Sequence, residues 1–214
     1  MNTRITLSAL GAAMLSLSAV ASDPTPLHSV ESYCATYEMT GLNKGQMTTC
    51  QRAYGHERYE KWDTKIGIGP FSKRDQRHII YSGETIYTYD GKKGTRATNP
   101  IYTQLSERMK TLSPDELQEG FMEAMQYNPT GETKDVNGTP CAVNTSTIAG
   151  TVCITEDGIL AEQRVMGQTQ RLVSLDVGDP GADEMYDPNA WAAPIEDAPD
   201  VGKIVEQISD AVAK

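Results

Sequence analysis

Four cysteines are the residues of this sequence whose chemistry is easiest to test from spacing. Cys34 and Cys50 are sixteen positions apart, and Cys141 and Cys153 are twelve apart. A four-cysteine zinc site normally contains close-spaced pairs, and thiol exchange of the thioredoxin type uses C-x-x-C, which this sequence lacks. These spacings therefore favour two disulfides, and paired cysteines leave no thiolate nucleophile.

Other residues that could carry catalysis or hold a metal match no complete motif. The histidines are His28, His56 and His78, and no G-x-S-x-G or comparable frame accompanies them. The acidic stretch 176–187 was compared with an EF-hand loop that starts at Asp179. It fails because Glu184 stands where glycine is required and Ala190 stands where a bidentate glutamate is required. The methionines are scattered, which is more typical of core packing than of a copper site. The sequence predicts a non-catalytic protein that uses no cofactor and no metal.

The first 21 residues have the layout of a secretory signal peptide. Arg4 precedes a short apolar run that ends in the A-x-A pattern of Ala19–Ala21, and Pro24 and Pro26 follow at once. The run is too short to span a bilayer, so cleavage after Ala21 is favoured over a membrane anchor. We expect a soluble protein of the bacterial periplasm with no transmembrane segment in the mature chain. In that oxidising compartment an even number of cysteines forms disulfides.

The composition limits the class of partner and the number of domains. The formal net charge is −10, which argues against nucleic acid and against anionic membranes as resting partners. About 190 mature residues are enough for one domain with its own core. Ten tyrosines and only two phenylalanines suit half-buried positions of a sheet, where the ring packs and the hydroxyl reaches water.

Each pair of sequence-adjacent cysteines flanks a predicted turn. One pair lies on either side of the Gly-rich turn 41–45, and the other lies on either side of the polar turn 145–150. Four cysteines allow three pairings, and the sequence alone does not choose among them. The local pattern favours the two pairings across these hairpins, Cys34–Cys50 and Cys141–Cys153, each contributing roughly 3 kcal/mol.

Short alternating segments separated by tight turns predict an antiparallel meander after the first hairpin. Residues 66–76 are interpreted as a loop, and 191–200 as an irregular linker. The further predicted strands are 57–67, 78–82, 85–90, 132–136, 141–144, 151–155, 159–166 and 170–177.

Three segments have helical periodicity. Asn99-Pro100 begins the first, and Ser113-Pro114 begins the second, which ends at Asn128-Pro129. Residues 201–214 form an amphipathic pattern too short to be a stable helix alone, so this segment must dock on the body or on a partner.

The predicted fold class is α+β. It consists of a strongly curved antiparallel sheet of about nine strands, two helices inserted mid-chain over the concave face, and one C-terminal helix. The predicted organisation is a signal peptide, an N-terminal tail, a sheet domain, a linker and a C-terminal helix, at 1–21, 22–32, 33–190, 191–200 and 201–214.

Several short motifs carry a resemblance to a known family. They are YEMTG, GHERYEKW, IIYSGETIYTYD, CITEDGILAEQRV and LVSLDVGDPGADEMYDPNA. Over about residues 30–190 the chain resembles the LolA-like superfamily of periplasmic lipoprotein carriers, which includes LolA, LolB and RseB. The resemblance implies a half-open barrel with a helical lid, an apolar cavity for acyl chains, and a sheet arginine that holds the lid, at Arg58. The two cysteine pairs and the C-terminal helix depart from the carrier pattern.

Two functions follow from these expectations. The first is a periplasmic binding protein that holds an acyl chain, a lipid or a lipoprotein in its cavity, through burial of methylene groups. The second is an envelope module that docks a protein partner through the sheet face or through 201–214. The residues predicted to line the cavity are Tyr37, Met39, Trp62, Tyr87, Leu105, Met109, Phe121 and Met125.

Overall fold

A computed structural model describes residues 26–67, 69–99, 102 and 114–198. The predicted signal peptide, the C-terminal helix 201–214, and the first inserted helix apart from Asn99 and Tyr102 lie outside these ranges. Asn99 Oδ1 accepts a hydrogen bond of 3.2 Å from the Tyr102 backbone N–H, which is the N-cap contact that the sequence predicts.

One sheet contains all twelve strands of the described residues. Every neighbouring pair is antiparallel except the last strand, which adds in parallel to the sixth. The order across the sheet is β12-β6-β5-β4-β3-β2-β1-β11-β10-β9-β8-β7. The strands are β1 Tyr33–Thr40, β2 Asn43–Arg52, β3 Glu57–Ile66, β4 Lys73–Ser82, β5 Thr85–Tyr89, β6 Gly94–Thr98, β7 Asn128–Val136, β8 Thr139–Ser146, β9 Gly150–Ile154, β10 Leu160–Val165, β11 Gln168–Val177 and β12 Ile195–Asp197.

The predicted fold class is therefore wrong. The sheet has twelve strands instead of about nine, and the described residues contain a single α-helix, α1 at Pro114–Ala124. This helix begins at the predicted proline but ends four residues before Asn128, where β7 starts. Two of the additional strands, β6 and β12, form the edge of the sheet farthest from β7. No helix in the described ranges is long and apolar enough to cross a membrane.

Alternation of side chains gives β1–β6 two distinct faces. Cross-strand register places Tyr37, Met47 and Trp62 in one row, and we call their side the Trp62 face. Register places Cys50, Tyr59 and Ile80 on the opposite side, the Tyr59 face. Each face contributes to a separate buried cluster, so side chains pack on both faces of this half of the sheet.

The chain that leaves β11 covers the Tyr59 face. Two short 3-10 helices, Asp183–Tyr186 and Pro188–Trp191, pack there before the chain joins the far edge as β12. The Tyr186 ring contacts Tyr59, and Trp191 stacks on Tyr89 with 5.4 Å between ring centroids. This segment includes part of the predicted linker, and its aromatic side chains make it a structural cover of the sheet.

The other half of the sheet is strongly curved. Asn137, in the turn after β7, donates a hydrogen bond of 2.6 Å to the backbone carbonyl of Leu172 in β11. Lys134 of β7 also pairs with Glu162 of β10. Because β7 and β11 are four positions apart in the sheet order, these contacts require the strands between them to curl tightly.

Both predicted disulfides are confirmed. Cys34 lies directly opposite Cys50 in the β1–β2 register, with 4.1 Å between the Cα atoms. Cys141 and Cys153 link β8 to β9 with a Cα–Cα distance of 5.4 Å, although register places Val143, not Cys141, opposite Cys153. Two hairpin disulfides are typical of a protein that folds outside the cytoplasm.

Candidate functional site

Buried polar atoms without a hydrogen-bond partner concentrate on the Trp62 face. The described residues contain seven such side-chain atoms, and six of them lie on this face away from its edge at the β1–β2 turn, where the seventh, Asn43 Oδ1, is located. Folded proteins satisfy most buried polar atoms, so an unpaired group calls for a physical explanation, such as a bound ligand or water. The six atoms on the face are Thr49 Oγ1, Gln51 Nε2, Arg58 Nε, Thr64 Oγ1, Asp75 Oδ2 and Arg77 Nε.

Two arginines lie over aromatic rings across the β3–β4 ladder. Arg58 is opposite Tyr81 in the register, and its guanidinium carbon lies 4.0 Å from the tyrosine ring centroid. Trp62 is opposite Arg77, whose guanidinium carbon lies 4.8 Å from the centroid of the tryptophan ring. Such cation–π contacts hold the two arginine side chains along the sheet.

Two carboxylates lie beside these arginines. Glu60 accepts a hydrogen bond of 3.1 Å from Trp62 Nε1, and its other oxygen is 3.3 Å from Arg58 Nε. Asp75 Oδ2 lies 3.4 Å from Arg77 Nε. Neither ion pair has hydrogen-bond geometry, which is why both Nε–H groups remain without an acceptor. The charges balance locally, while hydrogen-bonding capacity remains available to a polar ligand group.

Apolar side chains surround these polar groups and form a partly covered surface. Trp62, Ile79, Tyr81 and Ile86 are all half-buried and extend across β3, β4 and β5 on this face. A surface that is neither solvent-exposed nor fully packed offers apolar contact area to a ligand without a large rearrangement of the core.

One end of the Trp62 face is bordered by the segment before β1 and by Tyr102. Leu27 N donates a hydrogen bond of 2.9 Å to Tyr54 O, and Val30 packs against the buried cluster. The Tyr102 hydroxyl lies 2.9 Å from His56 Nδ1 in the turn between β2 and β3. These contacts place two separate parts of the chain around the same end of the sheet.

The structure brings together some of the residues predicted to line a cavity. Tyr37 and Met39 lie on the Trp62 face but are 2% and 6% exposed, so they belong to the core beneath it. Trp62 is half-buried on that face, and Arg58 lies on the same face further along β3. Tyr87 does not join them, because register places it opposite Ile80 on the Tyr59 face.

The remaining predicted residues belong to the segment between β6 and β7. Met125 is half-buried just after α1, and its backbone carbonyl accepts a hydrogen bond of 2.6 Å from Ser146 Oγ. Phe121 belongs to α1, but its side chain lies outside the described structure, as do Leu105 and Met109. The partner-docking role predicted for 201–214 also falls outside the described residues and stays a prediction.

Sequence reasoning missed most of the polar and aromatic residues of the site. Glu60, Asp75, Arg77 and Tyr81 were not predicted to take part. The signal that could have found three of them is the period-2 continuation of β4, in which Asp75, Arg77 and Tyr81 share a face.

Two surface depressions are also lined by described residues. The larger, of about 660 Å³, is open and lies at the β1–β2 turn, with Met39, Gly41 and Lys44 among its lining residues. Met39 is the sole predicted cavity residue along it. The smaller, of about 190 Å³, lies beside Glu162 and Arg171.

Two buried tyrosines, Tyr33 and Tyr37, lie on the Trp62 face. Burial raises the pKa values of the Tyr33 and Tyr37 hydroxyls, so both are neutral near pH 7 and neither acts as a base there. In the ranges that the structure describes, no group of three His, Cys, Asp or Glu side chains could hold a metal ion.

Comparison with solved structures gives several distant likenesses, two of which are as follows. No protein-family model and no curated protein matches this chain. An uncharacterized conserved protein from Thermus thermophilus is similar at 7% identity and a TM-score of 0.49, over 78% of this chain and 91% of that one. LprF from Mycobacterium bovis is similar at 11% identity and a TM-score of 0.34, over 72% and 90%. Likeness at these scores shows neither a family nor a ligand, so the resemblance to LolA-like carriers stays a prediction from the sequence motifs.

Proposed function

We propose that this chain is a non-catalytic binding protein of the bacterial periplasm that holds an amphiphilic ligand, an acyl chain with a polar group, against its Trp62 face. The observation that carries this proposal is the coincidence of six unpaired buried polar atoms with half-buried apolar side chains on one face. The opposite face lacks this combination in the described residues, since the segment after β11 covers it with aromatic contacts.

The two parts of such a ligand have different tasks. Burial of methylene groups against Trp62, Ile79 and Ile86 supplies affinity at about 0.8 kcal/mol per CH₂, or about 8 kcal/mol for ten. A polar group that accepts hydrogen bonds from Arg58 and Arg77 adds orientation, because their Nε–H groups have no acceptor in the described structure. Two disulfides support the extracytoplasmic setting of the proposal.

Native mass spectrometry of the full chain, expressed with export to a bacterial periplasm, tests the proposal. Copurified acyl species, identified after solvent extraction, are the expected result. Ile79→Asn places an amide in the middle of the Trp62 face and should reduce ligand occupancy at least tenfold. Ile154→Asn is the matched control, because it changes a half-buried isoleucine of β9, far across the sheet order. A ligand-free wild type, or equal occupancy in the two variants, would overturn the proposal.

A further inference from the structure

Four turns of the sheet gather at one end of the molecule. Gly67 N, after β3, donates a hydrogen bond of 3.0 Å to Leu42 O in the β1–β2 turn. The Gln168 side chain, after the β10–β11 turn, bonds to Asn43 N and Asn43 O at 2.9 and 2.7 Å. Gly150, after the β8–β9 turn, lies against the end of β10. We call this end of the sheet the turn end.

Exposed large apolar side chains concentrate at the turn end. The described residues contain eight of them, and five are in or beside these turns. Phe71 is 89% exposed and Met166 is 95% exposed, so neither packs against the body of the protein. The turns at the other end carry only Tyr54 from the same set. The five side chains are Leu42, Ile66, Phe71, Ile148 and Met166.

A row of cations lies directly behind two of these turns. Register places Lys44 opposite Lys65, and Lys65 opposite Arg74. Asp63 neutralises Arg74 at 3.2 Å, whereas Lys44, Lys65 and the nearby Lys73 have no ion-pair partner among the described residues. Like charges directly opposite each other destabilise a sheet. In a chain of net charge −10, this row has no evident folding benefit.

We propose that the turn end docks on a lipid bilayer surface that carries anionic headgroups. Phe71, Met166 and their neighbours enter the boundary between headgroups and acyl chains, and the lysines contact headgroup phosphates. The inference goes beyond the ligand held on the Trp62 face and does not depend on it. Single apolar side chains that project from separate turns suit a fluid surface, whereas a protein partner would require one contiguous complementary patch.

The negative net charge of the chain does not oppose this docking. Interactions between exposed charges are screened within about 8 Å at physiological ionic strength, so the local cations decide the field at the membrane. The net charge of −10, from which anionic membranes were not expected as partners, is a sum over the whole chain. It does not show that Lys44, Lys65 and Lys73 lie together at one end of the sheet.

Cosedimentation of the full chain with large unilamellar vesicles tests the proposal. Binding is expected to vesicles with about one third phosphatidylglycerol and to be at least tenfold weaker to pure phosphatidylcholine. Phe71→Ser with Met166→Ser should weaken binding at least tenfold. Val173→Ser, an exposed valine within β11, is the matched control and should bind as the wild type does.

A second variant pair separates charge from apolar insertion. Each lysine near an anionic surface contributes roughly a fivefold increase in binding, so Lys44→Gln with Lys65→Gln should weaken binding about 25-fold at low salt. A wild type that binds neither vesicle, equal binding to both compositions, or a Phe71/Met166 double variant that binds normally would overturn the proposal. It is also overturned if the wild type is a dimer without vesicles and that double variant is a monomer, since the turn end would then contact a second copy.

Discussion

Replacing Glu162 with glutamine should destabilise the fold by about 3 kcal/mol. The Glu162 side chain is 2% exposed, and three cations contact it from β7, β10 and β11. Arg171 Nε donates to one carboxylate oxygen at 2.8 Å. Lys134 Nζ and Arg164 Nε contact the other oxygen, Arg164 at 2.9 Å. Glu162 therefore ties the curled β7–β8 hairpin to the body of the sheet.

The expected loss of stability depends on the burial of Glu162 and on the exposure of its three cationic partners. Removing one member of a buried ion pair costs about 3 to 5 kcal/mol. The exposed fractions of the three cationic side chains run from about a third to just over half. They therefore regain water in the variant, and the lower end of that energy range applies. For a domain of this size, about 3 kcal/mol lowers the melting temperature by about 9 °C.

The pH dependence gives a second measure of the same contacts. Burial alone would raise the pKa of Glu162, but hydrogen bonds from Lys134 and Arg171 outweigh it and hold this pKa below its ordinary value. The contribution is therefore complete above the unfolded pKa of about 4.3 and is lost as pH falls through the folded pKa. The difference between wild type and Glu162→Gln should be constant above about pH 5 and should shrink in more acidic solution.

Urea unfolding at several pH values, followed by circular dichroism, measures both effects. Glu132→Gln, at an exposed position of β7, is the control and should change stability by less than about 0.5 kcal/mol. If Glu162→Gln is as stable as this control, or if its deficit is independent of pH down to about pH 2, then the ion cluster does not hold the hairpin.

Three further predictions concern other parts of the sheet. Cys34→Ser with Cys50→Ser should cost about 3 kcal/mol in urea unfolding, and a loss below about 1 kcal/mol would show that the β1–β2 hairpin does not need its disulfide. Burial lowers the pKa of His78, so stability should fall as pH drops below about 6.5, and His78→Gln should flatten that part of the thermal stability profile. Gly45→Ala should cost at least about 2 kcal/mol, because its backbone φ is +141° and a Cβ would lie 2.2 Å from a carbonyl oxygen of β3. Gly69→Ala, with nothing within 4 Å, should cost about half as much, and equal melting temperatures would contradict the steric argument.

Local signals in the sequence are sufficient to predict the hairpins. The alternation of apolar residues and the turn residues between Cys34 and Cys50 determine which strands pair and that the cysteines meet. The proline at 114 likewise locates the start of α1. These features depend on residues close together in the chain, so the sequence contains what is needed to predict them.

The missing strands depend on contacts that are distant in sequence. Gly94–Thr98 has no alternating apolar pattern, and Ile195–Asp197 has only three residues. They become strands because the chain crosses the Tyr59 face before β12 pairs in parallel with β6. The polar residues 73–76, three of them charged, resemble a loop, yet they extend β4 because the exposed end of a strand tolerates charge.

The composition of the candidate site depends on register. Trp62 and Tyr87 were both predicted to line one cavity. The face on which Tyr87 lies depends on how β4 pairs with β5 across the turn at Gly83. The two-residue turn there pairs Tyr81 with Ile86, which puts Ile86 on the Trp62 face and Tyr87 on the other. A one-residue difference in register reverses every assignment along a strand, so composition alone does not identify the lining residues.

Fluorescence quenching by a brominated fatty acid tests the binding face most directly. The chain has two tryptophans, one on each face, so Trp191→Phe leaves Trp62 as the reporter and Trp62→Phe leaves Trp191 against Tyr89. Bromine quenches an indole only at close range. Saturable quenching of Trp62, with little effect on Trp191, is the predicted result. Quenching of Trp191 alone, or of neither residue, would contradict the assignment of the ligand to the Trp62 face.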